Sequence, residues 1–159
     1  MRIEFTIDGK MLTLSLNSNK PLSLILNENL DSESVNVHCK GNMCGLCAVL
    51  IDGKATLSCM VPAFELQGKE VTTFDSLSKT REMRDIERAY EMVGVTPCSD
   101  CYASRSIMIE SLVSQGETRA DVIIREMSVL DCSCLDSDDN IDIVTKAVEL
   151  RRKRRVRRS

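Results

Sequence analysis

The sequence predicts an α+β chain in two halves: small strands wrapping one helix in a β-grasp arrangement over residues 1–75, then four helices over residues 76–150, then a basic tail over residues 151–159. Three observations carry this. Apolar residues alternate with period two around Asp-Gly pairs in the first half. Their spacing changes to a helical period from about residue 76. Eight cysteines divide four and four between the halves.

Ile3, Phe5 and Ile7 alternate with polar residues, as do Leu12, Leu14 and Leu16, and Asp8-Gly9 between the two runs reads as a β-hairpin. Pro21 then opens a short helix in which Leu22, Leu24, Ile25 and Leu26 crowd one side. A second hairpin is expected from Ala48 to Ile51 and Ala55 to Ser58 around Asp52-Gly53, and a further strand from Glu70 to Thr73. In the second half the groups Ile86, Ala89, Tyr90 and Val93, then Ile107, Ile109, Leu112 and Val113, recur at helical spacing. Val122, Ile123, Met127 and Leu130 make the third helix, and Ile141, Val144 and Val148 the fourth. Ser114-Gln115-Gly116 and the stretch Asp136 to Asn140 break them apart, which makes antiparallel helical hairpins the simplest fit.

Composition narrows the function. With 43% hydrophobic and 28% charged residues the chain is neither disordered nor Pro-rich, yet halves of this size bury too little apolar surface to be secure without a staple. Five aromatic residues and no Trp leave little for stacking single-stranded nucleic acid. The opening MRIEFTIDGK has neither an apolar run after a basic start nor a twin Arg, and no stretch approaches the roughly 18 apolar residues of a membrane span. A cytoplasmic location is therefore expected, with no membrane and no nucleic acid as partner; thiols stay reduced there, and clustered cysteines point to metal. Seven of the 21 Lys and Arg lie in the last nine residues, so the rest of the chain is strongly acidic. That tail reads either as a solvated segment whose start suits a helix C-terminus or as an electrostatic dock for an acidic surface.

The cysteines carry the chemistry. The first set runs Cys39-x4-Cys44-x2-Cys47-x11-Cys59, the plant-type [2Fe-2S] spacing, in which one loop wraps the cluster and a neighbouring strand end closes it. Gly41 and Gly45 give that loop the freedom to curl and to aim amide N–H groups at sulfur. The second set runs Cys98-x2-Cys101-x30-Cys132-x-Cys134. By spacing alone it fits one Zn²⁺ on four thiolates as well as a second cluster. Cys98 and Cys101 fall at the start of one expected helix and Cys132 and Cys134 at the end of another, so an antiparallel pair would bring all four together.

These motifs resemble the small iron–sulfur subunit, or N-terminal region, of the xanthine dehydrogenase and aldehyde oxidoreductase molybdenum hydroxylases. The resemblance spans nearly all of residues 1–150 and is most specific in CKGNMCGLCAVLIDGKATLSC (39–59), in GKEVTTFDSL (68–77), and in the pairs Cys98-x2-Cys101 and Cys132-x-Cys134. It implies a plant-type ferredoxin-like β-grasp domain holding one [2Fe-2S] cluster on Cys39, Cys44, Cys47 and Cys59. A four-helix domain would hold the other on Cys98, Cys101, Cys132 and Cys134. It further implies electron transfer from a molybdenum-pterin site in a large partner subunit, through the two clusters, to FAD in another subunit, with no catalytic residue in this chain. The chain departs from the family at the lining. Gln-Cys-Gly-Phe/Tyr-Cys-Thr-Pro-Gly is usual, and here Pro97, Ser99, Asp100, Tyr102, Ala103 and Ser104 surround the two ligands; Cys-Arg-Cys-Thr-Gly-Tyr is usual, and here Ser133 and Leu135 to Ser137 stand there. Pro97 has no side-chain donor where Gln would hydrogen-bond a pterin.

Two readings compete with this one: an iron–sulfur subunit serving a different, non-molybdenum large subunit, and a Zn-stapled interaction protein. His38, the only His, reads as a loop residue beside the first ligand, Met43, Met60, Met108 and Met127 as core filling, and Asp138-Asp139 as a helix start.

Overall fold

The structure, a computed structural model, describes residues 1–29 and 44–158. Cys39 and His38 lie outside the described residues, as do Gly41 and Met43. Two hairpins form where Asp-Gly pairs predict them, β1 (Arg2–Ile7) with β2 (Lys10–Ser15) and β3 (Ala48–Ile51) with β4 (Lys54–Leu57). At both turns the Asp and the Gly take positive φ, 50° and 82° at Asp8-Gly9 and 50° and 84° at Asp52-Gly53. These are the left-handed pair that a two-residue turn of the primed type demands. The strand β5 (Glu70–Thr72) runs parallel to β1 and antiparallel to β3, giving among the described residues a five-stranded sheet of order β2-β1-β5-β3-β4. Asp8 secures the join, accepting the Thr73 backbone N–H at 2.8 Å and the Thr73 hydroxyl at 2.7 Å.

One face of the sheet buries Ile3, Phe5, Ile7, Val49 and Val71 against α1 (Leu22–Asn29), which contributes Leu22, Ile25 and Leu26. The apolar side of α1 is narrower than expected: Leu24 is 45% exposed, because a residue two positions from Leu22 and from Leu26 lies on the opposite side of a helix. Strand β3 is covered on both faces. Val49 points to the cluster around α1, and Ala48 and Leu50 point to the helices, which accounts for its unbroken apolar run.

The short α2 (Phe74–Leu77) leads into four longer helices, α3 (Arg81–Val93), α4 (Tyr102–Ser114), α5 (Ala120–Met127) and α6 (Ser137–Val156). Thr80 caps α3, its hydroxyl accepting the Met83 N–H, and Gly94 at φ 82° closes it. Helix α4 is the centre of the second core: every residue from Ser104 to Val113 is buried. Its polar residues are satisfied there. Ser104 Oγ accepts the Ala48 N–H at 3.3 Å, Ser111 Oγ accepts the Ala55 N–H at 3.0 Å, and Ser106 shares a hydrogen bond of 2.9 Å with the Tyr90 hydroxyl. Two serines seven residues apart on one helix face thus join α4 to β3 and β4 through backbone donors.

The basic tail does not begin at residue 151. Helix α6 runs on to Val156, and Arg151 is 3% exposed at the centre of an ion cluster. Its guanidinium donates to both carboxylate oxygens of Glu110 at 2.9 and 2.8 Å, to Asp85 Oδ2 at 3.1 Å and to the Glu82 carbonyl at 3.0 Å. Arg154 also donates to Asp85, at 3.0 Å. Arg151 and Arg154 therefore tie α6 to α3, and Arg151 also ties it to α4, while Arg152, Lys153, Arg155, Arg157 and Arg158 are exposed. Among the described residues no helix is long and apolar enough to cross a membrane.

Candidate metal centre

The turn Cys98 to Cys101 folds on itself, with the N–H groups of Cys101 and Tyr102 both donating to the Cys98 carbonyl at 3.3 and 3.0 Å, and delivers Cys101 to the N-terminus of α4. Cys132 and Cys134 lie in the loop between α5 and α6 rather than at the end of α5. That helix stops at Met127, Leu130 and Leu135 of the connecting chain are buried in the core, and a capping box of Asp136 and Asp139 starts α6. The predicted meeting of the four thiols occurs all the same. Cys98 Sγ is 3.5 Å from Cys101 Sγ and 3.5 Å from Cys132 Sγ, Cys101 Sγ is 3.4 Å from Cys134 Sγ, and all four sulfurs lie within 4.8 Å of one another. Two thiolates on one tetrahedral iron or zinc at bond lengths near 2.3 Å are about 3.8 Å apart, so the donor set has the chemistry and near spacing for such a centre.

Arg105 stands over this group. It follows Cys101 by four residues on the same face of α4, is 1% exposed, and donates Nε to Cys101 Sγ at 3.4 Å and Nη2 to Cys134 Sγ at 3.6 Å and to the Cys132 carbonyl at 3.4 Å. Asn140 of α6 holds the other end, accepting from Nη1 at 2.7 Å. Burial pushes the Cys101 thiol up to about 12 against the pull of Arg105, whereas at Cys134 burial is outweighed by a backbone hydrogen bond from Cys98 and by the neighbouring thiols, which bring it down to about 7. Arg105 carries no apolar periodicity, and sequence reasoning does not single it out. The available signal is its position one helical turn after a ligand in a helix with one other ionisable side chain deep in its run, Glu110.

Of the first set, Cys44, Cys47 and Cys59 are described. Cys47 is buried at the entrance of β3, and the hairpin returns the chain to it: Ser58 donates its N–H and its hydroxyl to the Cys47 carbonyl at 3.1 and 2.7 Å, which seats Cys59 in the 3₁₀ turn Ser58–Met60 beside the cysteine loop. Gly45 has φ +81°, and a Cβ there would meet the Val129 carbonyl oxygen at 2.7 Å and Leu130 Cα at 2.8 Å, so this loop packs directly on the chain leading to Cys132. Of the residues that depart from the family lining, Pro97 is buried and Ser99, Asp100 and Ser133 are exposed.

The sequence profile of the 2Fe-2S iron–sulfur cluster binding domain family matches residues 13–91, a span that includes the whole first cysteine set. A nicotinate dehydrogenase subunit of Pseudomonas putida is 28% identical over 152 residues, covering 95% of this chain and 97% of its own. The xanthine dehydrogenase iron–sulfur-binding subunit of Escherichia coli O157:H7 is 35% identical over 99 residues, 62% of each chain. The chain belongs to the iron–sulfur subunits of the xanthine dehydrogenase and aldehyde oxidoreductase family. A solved structure agrees over almost the full length of this iron–sulfur subunit: quinoline 2-oxidoreductase from Pseudomonas putida 86 superposes with a TM-score of 0.75 at 26% identity, covering 96% of both chains. As a member of this family the subunit transfers electrons within an oxidoreductase and leaves substrate chemistry to other chains.

Proposed function

We propose that this subunit carries two [2Fe-2S] clusters, one on Cys39, Cys44, Cys47 and Cys59 in a β-grasp domain of residues 1–75 and one on Cys98, Cys101, Cys132 and Cys134 in a four-helix domain of residues 76–150. In this reading it passes electrons in the cytoplasm from a molybdenum-pterin substrate site in a large partner subunit toward FAD in another. The observation that supports it best is the convergence of four thiols from two loops at the head of α4, alongside a first set at plant-type spacing. When bound, such clusters take up and release single electrons. The chain's own part is to hold the thiolates, to aim Arg105 at them, and to keep the two cysteine loops in contact through Gly45 and Leu130.

The buried Pro97 favours a second reading of the partner alone: with no side-chain donor at that place, the large subunit this chain serves holds something other than a molybdenum-pterin. The test is analytical. About four iron and four labile sulfide per chain, with two paramagnetic signals on reduction, are expected. About two zinc in a colourless protein would replace the electron carrier with a Zn-stapled interaction protein. Cofactor analysis of the co-purified complex separates the two partner readings, since molybdenum is expected only under the first.

A further inference from the structure

We propose that Arg105 is the tuning and positioning residue of the second cysteine centre: a buried fixed cation that hydrogen-bonds Cys101 and Cys134 and raises the reduction potential of the group they bind. A guanidinium does not give up its proton, and a buried one needs an anion beside it. Arg151, the other deeply buried arginine, meets that need with Glu110 and Asp85. Arg105 is 1% exposed, and among the described residues no carboxylate forms an ion pair with it. Its partners are Cys101 Sγ, Cys134 Sγ, the Cys132 carbonyl and the neutral amide of Asn140. The charge therefore faces the sulfurs, which places a positive group within hydrogen-bond reach of two members of the ligand set, on a buried central helix.

The chemical consequence follows from sign. Adding an electron to a thiolate-bound centre adds negative charge, and a cation donating to two of its sulfurs stabilises the reduced form more than the oxidised one. Asn140 fixes the direction of the fork through Nη1, so that Nε and Nη2 face the sulfurs.

This inference rests on the reading of Cys98, Cys101, Cys132 and Cys134 as the ligands of a redox cluster. The test is an anaerobic redox titration of the full subunit, following the paramagnetic signals, in three variants alongside the wild type. Arg105→Met is expected to lower the potential of the second cluster and leave the first unmoved. Arg105→Lys keeps the charge without the fork and is expected to fall between. Asn140→Asp is nearly isosteric, keeps the Nη1 contact and neutralises Arg105 from behind, so it too is expected to lower the potential. If Arg105→Met does not load its second cluster, Asn140→Asp decides. Unchanged potentials in variants with full iron content overturn the role of Arg105. A wild-type chain with iron for one cluster only overturns the ligand reading instead.

Discussion

Asp131 donates its backbone N–H to the carbonyl of Cys44 at 2.8 Å, joining the loop of the first cysteine set to the residue that precedes Cys132 of the second. The contact is backbone to backbone, so it does not depend on the side chain at either position. It is reinforced one residue on, where Gly45 lies against Val129 and Leu130 with no room for a Cβ. The two sets thus share a seam.

Substitution along that seam separates two effects of glycine. Gly45→Ala meets both a positive φ and backbone atoms at 2.7 and 2.8 Å, and Gly53→Ala meets a positive φ of 84° with open space around it. The second change is expected to lower stability by about 1 kcal/mol, the cost of a left-handed alanine. The first should lower it by clearly more and disturb metal loading in both halves. Thermal unfolding with iron analysis measures this, and equal losses in the two variants would show that the seam is not tight.

If each cluster needs its own four thiolates, Cys44→Ala and Cys101→Ala should each leave about two iron per chain and one of the two reduced-state signals. The surviving signal should differ between them. Retention of both signals in either variant would sink the ligand assignment.

Arg151 is expected to behave as part of the fold rather than as part of a tail. Arg151→Ala strands Glu110 among helices α3, α4 and α6 and leaves Asp85 to Arg154 alone, a loss of roughly 3–5 kcal/mol for a broken buried pair. Deleting residues 155–159 takes away the exposed residues Arg155 to Arg158, so it should leave the unfolding temperature nearly unchanged and weaken partner association at low salt. An association insensitive to both the deletion and added salt would leave these arginines as a solvated helix end.

Asp100 and Ser133, which depart from the family pattern around the second set, face solvent. Replacing them together as Asp100→Phe and Ser133→Arg removes a negative and adds a positive charge near the thiols. The potential of the second cluster should rise, by on the order of tens of mV once solvent screening is counted. A fall, or equal movement of both clusters, would show that these positions do not face the second centre.

By itself the sequence determined the hairpins, the four longer helices and the cysteine pairs and triplet within single loops, because each rests on local chemistry: Asp-Gly turns that require left-handed backbone, a period that changes from two to 3.6, and spacings of one to four residues between cysteines of one loop. Leu24 falls on the exposed side of its helix against expectation, since adjacent apolar residues outnumber the positions one short helix can bury. Only the tertiary structure decided what lies between the elements. The fate of Arg105 depended on the loop after α5 bringing Cys134 to the face of α4 that already carries Cys101, and that of Arg151 on α3 and α4 presenting Asp85 and Glu110 to α6. A charged residue in a helix is exposed or buried according to what packs against it, and packing partners from 29 to 66 residues away leave no periodic trace in the chain. Local rules therefore located the thiols, and long-range packing chose the cation that stands beside them.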